Sequence, residues 1–303
     1  MKEIRSRRMR FGCGAAAAGA LALAATAAVA DPAADTGRGI LARSGEAVVT
    51  VKLVIRQDMS FGGRQGVGQE SKSEVTGTAI DGSGLVVVSL SATDPAGMVS
   101  KLMSGMAMGG QDQMKFESSL SDVKILLPTG KEVPAEVVLR DRELDLAFIR
   151  PTEKLATPIA ALDVSKSAKP KVLDEVFLVN RLGTVGNRAN TIALMRVAAV
   201  VDKPRTFFVL EGSGNTFGMG GPVFGADGKP VGILLLRSGK SETGLGMAAM
   251  LSGPNNLGIM PVVVPIDDIV DSAKQVPPMK PKEAAAPEKA PEKEPAAKPA
   301  TAP

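Results

Sequence analysis

The sequence reads GMGGPV at residues 218–223 and continues with DGKPVGI at residues 227–233. Two adjacent glycines permit a close turn, and the Asp-Gly step predicts a second turn before a strand. Met219 stands within the first turn, and the 303 residues contain no histidine. A thioether has no proton to lose, and no imidazole is present to act as a base. The segment therefore lacks the groups that nucleophilic catalysis by a serine and a histidine requires.

The region from about residue 43 to residue 276 alternates short apolar runs with turns rich in Gly, Pro and Asp. The length and spacing of these runs favour an all-β barrel or sandwich pair over a parallel α/β sheet. One helix is predicted at residues 265–274, where a proline and acidic residues precede apolar residues at helical spacing. The predicted strands are residues 47–55, 75–80, 84–90, 123–127, 133–139, 145–149, 172–179, 191–201, 207–210, 231–236 and 259–264.

Several segments together resemble the protease domain of the HtrA-type trypsin-like family. The match follows the order and spacing of the family's hairpins, its nucleophile turn and its closing helix. The resemblance implies an all-β fold of two six-stranded antiparallel barrels with a short C-terminal helix. The matching hairpin and strand segments are GTAIDGSGLVVV at 77–88, DVKILLPTGKEVPA at 122–135, RDRELDLAFI at 140–149 and DEVFLVN at 174–180.

The resemblance also assigns the three positions of the family's catalytic triad. The aspartate corresponds to Asp145, the histidine to Ser91 and the nucleophile to Met219. In the family the aspartate orients the histidine, which activates the serine. With two of the three members replaced, the resemblance predicts a degenerate triad without activity. Asp145 is then expected to be kept because a carboxylate can accept backbone hydrogen bonds.

The oxyanion hole is predicted to survive only as a remnant, formed by Phe217, Gly218 and Met219. Such a hole uses backbone N–H groups and does not require particular side chains. However, Phe217 replaces a family glycine, and a bulky residue disfavours a positive φ. Gly220 and Gly221 are predicted to border a binding cleft.

Other hydroxyl groups near the predicted cleft leave a second function open. Ser213, Thr216 and Ser91 are candidate nucleophiles, with a lysine or an aspartate as base. The chain would then be an active serine-type endopeptidase with a non-standard nucleophile. The run at 211–216 is more simply interpreted as a loop.

A methionine-rich and glycine-rich insert is predicted at about residues 95–121. Thioethers are soft ligands, so Met103, Met106 and Met108 define a candidate Cu(I) site. Methionines also form adaptable apolar surfaces for partners, and this interpretation is favoured for the insert. Met247 lies in a later loop that borders the specificity pocket in this fold, and it is a candidate binding residue.

Residues 1–30 are predicted to be a signal peptide. Basic residues precede an apolar run of 17 residues at 14–30, and small residues at 28–30 suit a signal peptidase. SRRMRF at 6–11 also resembles a loose twin-arginine signal. An uncleaved membrane anchor is the alternative, although the run is short and dominated by alanine. The sequence therefore predicts an exported, periplasmic or envelope protein that contacts a membrane only if the signal remains.

The charge of the chain gives no indication of nucleic-acid binding. Residues 1–30 hold five basic residues and one acidic residue, which accounts for the net charge of +4 of the whole chain. Trp, Tyr and His are absent, so few aromatic rings are available to stack on bases. Cys13 is the only cysteine and lies in the predicted signal, so the mature chain has no disulfide. No phosphate-binding loop or zinc spacing is present, and no cofactor is predicted.

The predicted organisation has four parts: a signal at 1–30, a linker at 31–42, the double-barrel domain at 43–276 and a tail at 277–303. The tail consists almost entirely of Pro, Ala, Lys and Glu, a composition that favours disorder. It is interpreted as a solubilising spacer, and a stalk or docking segment is the alternative. The predicted function is binding of an extended peptide or an envelope protein by a catalytically inactive, trypsin-like scaffold.

Overall fold

The computed structural model describes residues 31–61, 64–65, 68–97, 114–212, 218–238 and 259–279. Within these residues thirteen strands alternate with turns. The strands are β1 Val48–Phe61, β2 Arg64–Gln65, β3 Gln69–Ala79, β4 Val86–Ser89, β5 Met114–Leu126, β6 Glu132–Asp141, β7 Leu146–Pro151, β8 Glu175–Arg181, β9 Asn190–Val201, β10 Phe207–Leu210, β11 Pro222–Gly225, β12 Pro230–Ser238 and β13 Ile259–Pro265. The helices are α1 Pro32–Ser44, the single turn α2 Leu90–Thr93 and α3 Ile266–Ala273.

The strands form two antiparallel barrels. The first has the order β1-β3-β4-β7-β6-β5 and closes because β5 pairs back to β1, while β2 adds to the outer end of β1. The second has the order β10-β13-β12-β11-β8-β9 and is closed. The prediction of two six-stranded antiparallel barrels with a short C-terminal helix is confirmed.

Strands at the seam between the barrels bury both of their faces. In β4, Val86 and Val88 point into the first barrel, whereas Val87 belongs to a larger cluster that joins the two barrels. In β12, Leu234 enters the core of the second barrel, and Leu235 enters the joining cluster. A strand buried on both sides requires a continuous apolar run, which explains VVV at 86–88 and ILLL at 233–236.

The predicted linker at residues 31–42 is largely helical. Helix α1 runs from Pro32 to Ser44, and its Ile40 is 1% exposed in the cluster that joins the barrels. Gly37 lies so close to Phe177 that an added Cβ would stand 3.2 Å from the phenyl ring. Two glycines weaken the intrinsic helical propensity of this segment, so packing supplies its stability.

The predicted insert at about 95–121 is partly regular structure. Its last residues begin β5 at Met114, and this strand pairs with β1 from Thr50 to Phe61. Residues 98–113 lie outside the described residues, as do residues 1–30 and 280–303, which include the predicted signal and most of the predicted tail. None of the helices among the described residues is long and apolar enough to span a membrane.

Candidate functional site

Asp145 lies in the turn between β6 and β7, immediately before the first residue of β7. Its backbone adopts a left-handed conformation with a φ of +58°. The short polar side chain of aspartate tolerates this region better than most side chains. Its carbonyl oxygen accepts a hydrogen bond of 2.8 Å from the N–H of Leu90. The turn thereby directs the carboxylate toward the end of β4 and the start of α2.

Four donors surround the Asp145 carboxylate. Oδ1 accepts hydrogen bonds from the backbone N–H of Ser91 at 2.9 Å and from its hydroxyl at 2.6 Å. Oδ2 accepts hydrogen bonds from the hydroxyl of Ser89 at 2.5 Å and from the backbone N–H of Leu236 at 3.3 Å. Ser89 and Ser91 belong to the first barrel, whereas Leu236 lies on β12 of the second. The carboxylate therefore joins the two barrels.

Burial raises the pKa of the Asp145 carboxyl above its ordinary value. The hydrogen bonds from Ser89, Ser91 and the N–H of Leu236 act in the opposite direction, because they favour the charged form. Desolvation is the larger effect. The site thus holds a carboxylate that is well supplied with donors but poorly hydrated.

The raised pKa predicts that Asp145 makes the folded chain less stable as the pH increases. Between the ordinary pKa of aspartate and the raised value, the folded chain keeps a proton that the unfolded chain has released. The contribution of Asp145 to the free energy of unfolding therefore falls with increasing pH across this window and is constant above it. Urea unfolding at a series of pH values should show a steeper decline for the unmodified chain than for Asp145→Asn. Equal slopes would contradict this assignment.

Met219 is half-buried and packs against the core of the second barrel, among residues that include Leu178 and Val223. Its neighbours hold the turn in place through the backbone. Gly218 has a φ of +97°, and its carbonyl accepts a hydrogen bond of 2.9 Å from the N–H of Gly221. The thioether thus contributes apolar contact where the resemblance predicts a nucleophile.

Gly220 joins the turn to both barrels. Its N–H donates to the carbonyl of Leu234 at 2.7 Å, and its own carbonyl accepts a hydrogen bond of 2.7 Å from the buried hydroxyl of Thr78. Its φ is +85°, a conformation that side chains other than glycine disfavour. An added Cβ would also overlap the carbonyl oxygen of Thr76. The glycine is therefore required by close backbone approach across the seam.

The structure brings together Ser91 and Asp145, two of the predicted site residues. Met219, Gly220 and Gly221 lie together in the turn before β11, and Gly218 precedes them. Ser89 and the N–H of Leu236 were not predicted, since only the folded chain brings them to Asp145. The remaining predicted residues lie outside the described residues: Phe217, Met247, Met103, Met106 and Met108, with the alternative nucleophiles Ser213 and Thr216.

The family model of the trypsin-like peptidase domain matches residues 37–233. The chain belongs to this family. No curated protein matches the chain. Among solved structures 317 chains match, one of which is the HtrA-type protease AlgW with a tripeptide. That match has a TM-score of 0.48 and 15% sequence identity, and it covers 78% of this chain and 62% of that chain.

This trypsin-like domain extends beyond the matched residues, because β13 completes the second barrel. Helix α3 then packs against the apolar cluster that joins the two barrels. The assignments of Ser91, Asp145 and Met219 to triad positions stay predictions. Among the described residues, no group of three or more Asp, Glu, Cys or His side chains is placed to hold a metal ion.

Proposed function

We propose that this trypsin-like domain binds an extended peptide or a segment of an envelope protein and does not cleave it. The proposal rests on the hydrogen bonds that surround the Asp145 carboxylate. Ser91 donates to its Oδ1, and Ser89 and Leu236 donate to its Oδ2. In the family this carboxylate orients a histidine, and this sequence has none. Here the N–H and the hydroxyl of Ser91 supply both hydrogen bonds to Oδ1, so this oxygen has donors without a histidine.

The position predicted for the nucleophile supports the same conclusion. Met219 packs against the second barrel's apolar core. A thioether can neither lose a proton nor form an acyl-enzyme. Hydrogen bonds that link the backbone of Gly220 to Leu234 and Thr78 hold the turn around Met219 in place. These hydrogen bonds stabilise the turn whether or not the protein has catalytic activity. The two replacements together remove the proton transfer and the bond-forming step.

The edge of β12 supports peptide binding. β11 pairs with β12 only as far as Ile233, while β13 pairs with it up to Ser238. From Leu235 to Ser238, the edge opposite β13 has no strand partner among the described residues. On this side of β12 the N–H of Leu234 already donates to the carbonyl of Gly221, and that of Leu236 donates to Asp145. Alternation along the strand places the N–H of Ser238 on the same side, and this is the group that an added strand would use. An extended peptide can add to such an edge as a further strand.

An envelope or periplasmic location is part of the proposal. It rests on the basic, apolar and small-residue segments of residues 1–30, which have the order of an export signal. In that location the partner would be an unfolded or extended segment of another exported protein.

One contact favours the alternative of an active endopeptidase. The hydroxyl of Ser91 donates to Asp145 at 2.6 Å, so a serine lies beside a carboxylate whose pKa is raised by burial. A base of this kind could accept the hydroxyl proton. Against it, the same carboxylate already accepts three other hydrogen bonds, which favour its charged form and weaken it as a base.

Fluorescein-labelled, unfolded casein tests both possibilities. We expect the purified chain to bind it without releasing peptides, and Met219→Ser to remain inactive because no histidine activates the new hydroxyl. Release of peptides that persists through repurification and disappears in Ser91→Ala would replace this proposal with the endopeptidase. A fluorophosphonate probe should likewise leave the chain unlabelled.

A matched pair of variants locates the binding edge. Ser238→Pro removes the N–H that points to the free edge of β12, whereas Ser238→Ala keeps it. Loss of one main-chain hydrogen bond, together with the bulk of the ring, should weaken casein binding by about tenfold or more in the proline variant only. Equal binding by both variants would place the casein elsewhere.

A further inference from the structure

The outer half of β3 is an open sheet edge. β3 pairs with β1 from Thr78 to Gln69, but it pairs with β4 only through Thr78 and Ala79. From Gln69 to Ser73, the edge opposite β1 has no strand partner among the described residues. Residues 69–72 are exposed. An exposed row of unpaired N–H and C=O groups is a template on which another strand can pair.

Two charged side chains on this edge have no partner among the described residues. Glu70 and Lys72 are two residues apart, so their side chains project from the same face of the sheet. Neither makes an ion pair or a side-chain hydrogen bond to another described residue. Arg56, which lies directly across from Glu70 on β1, is engaged by Asp58 at 3.3 Å. The negative charge of Glu70 and the positive charge of Lys72 therefore flank Ser71 without partners in the part of the chain that the structure describes.

We propose that this edge pairs with the same edge of a second copy of the chain, antiparallel and centred on Ser71. A two-fold dimer requires a surface that is complementary to itself. With Ser71 opposite Ser71 of the second copy, Glu70 lies opposite Lys72 of the second copy and the reverse pair forms as well. Opposite charges placed directly across two strands stabilise the pairing.

The charges also fix the register. A slip of one residue would move every side chain to the other face of the joined sheet. A shift of one strand by two residues relative to the other would separate both pairs of opposite charges. The sequence Glu-Ser-Lys thus specifies one register of pairing between two copies of this edge. An unrelated strand would not carry the matching charges. The dimer would join the first barrels of two copies through a continuous sheet.

Charge exchange tests the proposal by sedimentation equilibrium of the full chain. The unmodified chain should form a dimer with twice the monomer mass. Lys72→Glu places two glutamates opposite two glutamates, and Glu70→Lys places two lysines opposite two lysines. Each single variant should dissociate at least about tenfold more readily, because two attractions become repulsions. An equimolar mixture of the two variants should recover the dimer, since lysines then face glutamates.

Lys131→Glu, in the exposed turn before β6, is the matched control and should leave the dimer unchanged. Oxidative cross-linking tests the centre of the pairing: in a Cys13→Ser background, Ser71→Cys should link two copies faster than Gln69→Cys. An unmodified chain that stays monomeric would overturn the proposal. Dimerisation that is indifferent to Lys72→Glu, or single variants that do not recover on mixing, would overturn the pairing.

Discussion

Asp145→Ala is expected to lower the free energy of unfolding by about 2–4 kcal/mol. The substitution removes the acceptor for four hydrogen bonds at the seam of the barrels. The hydroxyls of Ser89 and Ser91 can rotate toward other acceptors, but the backbone N–H groups of Ser91 and Leu236 cannot. A buried donor without a partner retains its full desolvation cost. The substitution also removes the desolvation cost of the carboxylate, but this gain offsets only part of the free energy lost with the hydrogen bonds.

Asp145→Asn is the graded comparison. Its amide oxygen can still accept the two hydrogen bonds from Ser91, whereas its NH₂ group would face the N–H of Leu236 with no lone pair to offer. The free energy of unfolding of Asp145→Asn should therefore lie between that of the unmodified chain and that of Asp145→Ala. Urea unfolding measures all three. A value for Asp145→Ala within about 0.5 kcal/mol of the unmodified chain would show that the carboxylate does not hold the seam.

These expectations explain why an aspartate would persist in a chain without histidine. In a working triad the carboxylate serves an imidazole. Asp145, in the β6–β7 turn of this chain, joins Ser89 and Ser91 to β12, so its loss is expected to lower stability whether or not any bond is cleaved. Retention of Asp145 is therefore no indication of peptidase activity.

The sequence predicted most of the strands because each is an apolar run bounded by turn residues. It did not predict β11, since Pro222-Val223-Phe224-Gly225 is short and flanked by glycine. It also missed the outer parts of β1, β3 and β5, where most of the residues are polar and the apolar ones are scattered. Main-chain pairing between neighbouring strands extends these segments, and hydrophobic periodicity carries no signal for it.

The site was predictable only where a local motif identifies it. The segment Leu144-Asp145-Leu146-Ala147 and the GMGGP turn resemble family motifs, and on that basis triad positions were predicted at Asp145 and Met219. The hydrogen bond from Ser89 spans 56 residues, and that from Leu236 spans 91. Neither residue has a distinctive neighbourhood in the sequence. Their role follows from the pairing of β4 with β7 and the approach of β12.

Gly220→Ala is expected to destabilise the chain by at least about 3 kcal/mol. Gly130→Ala is the matched control, because Gly130 has a φ of +83°, close to the +85° of Gly220, but no atom within 4 Å of an added Cβ. The control should lose about 1 kcal/mol from backbone strain alone.

The difference in lost stability between the two variants measures how much the close packing of Gly220 at the seam contributes. The methyl group at position 220 would overlap the carbonyl oxygen of Thr76, so the turn must move away from β3. That movement would also break the buried hydrogen bond from Thr78 to the Gly220 carbonyl. Urea unfolding of both variants gives the comparison. Equal losses would mean that the turn can shift freely, and the two barrels would then be held together by their apolar cluster without help from this glycine.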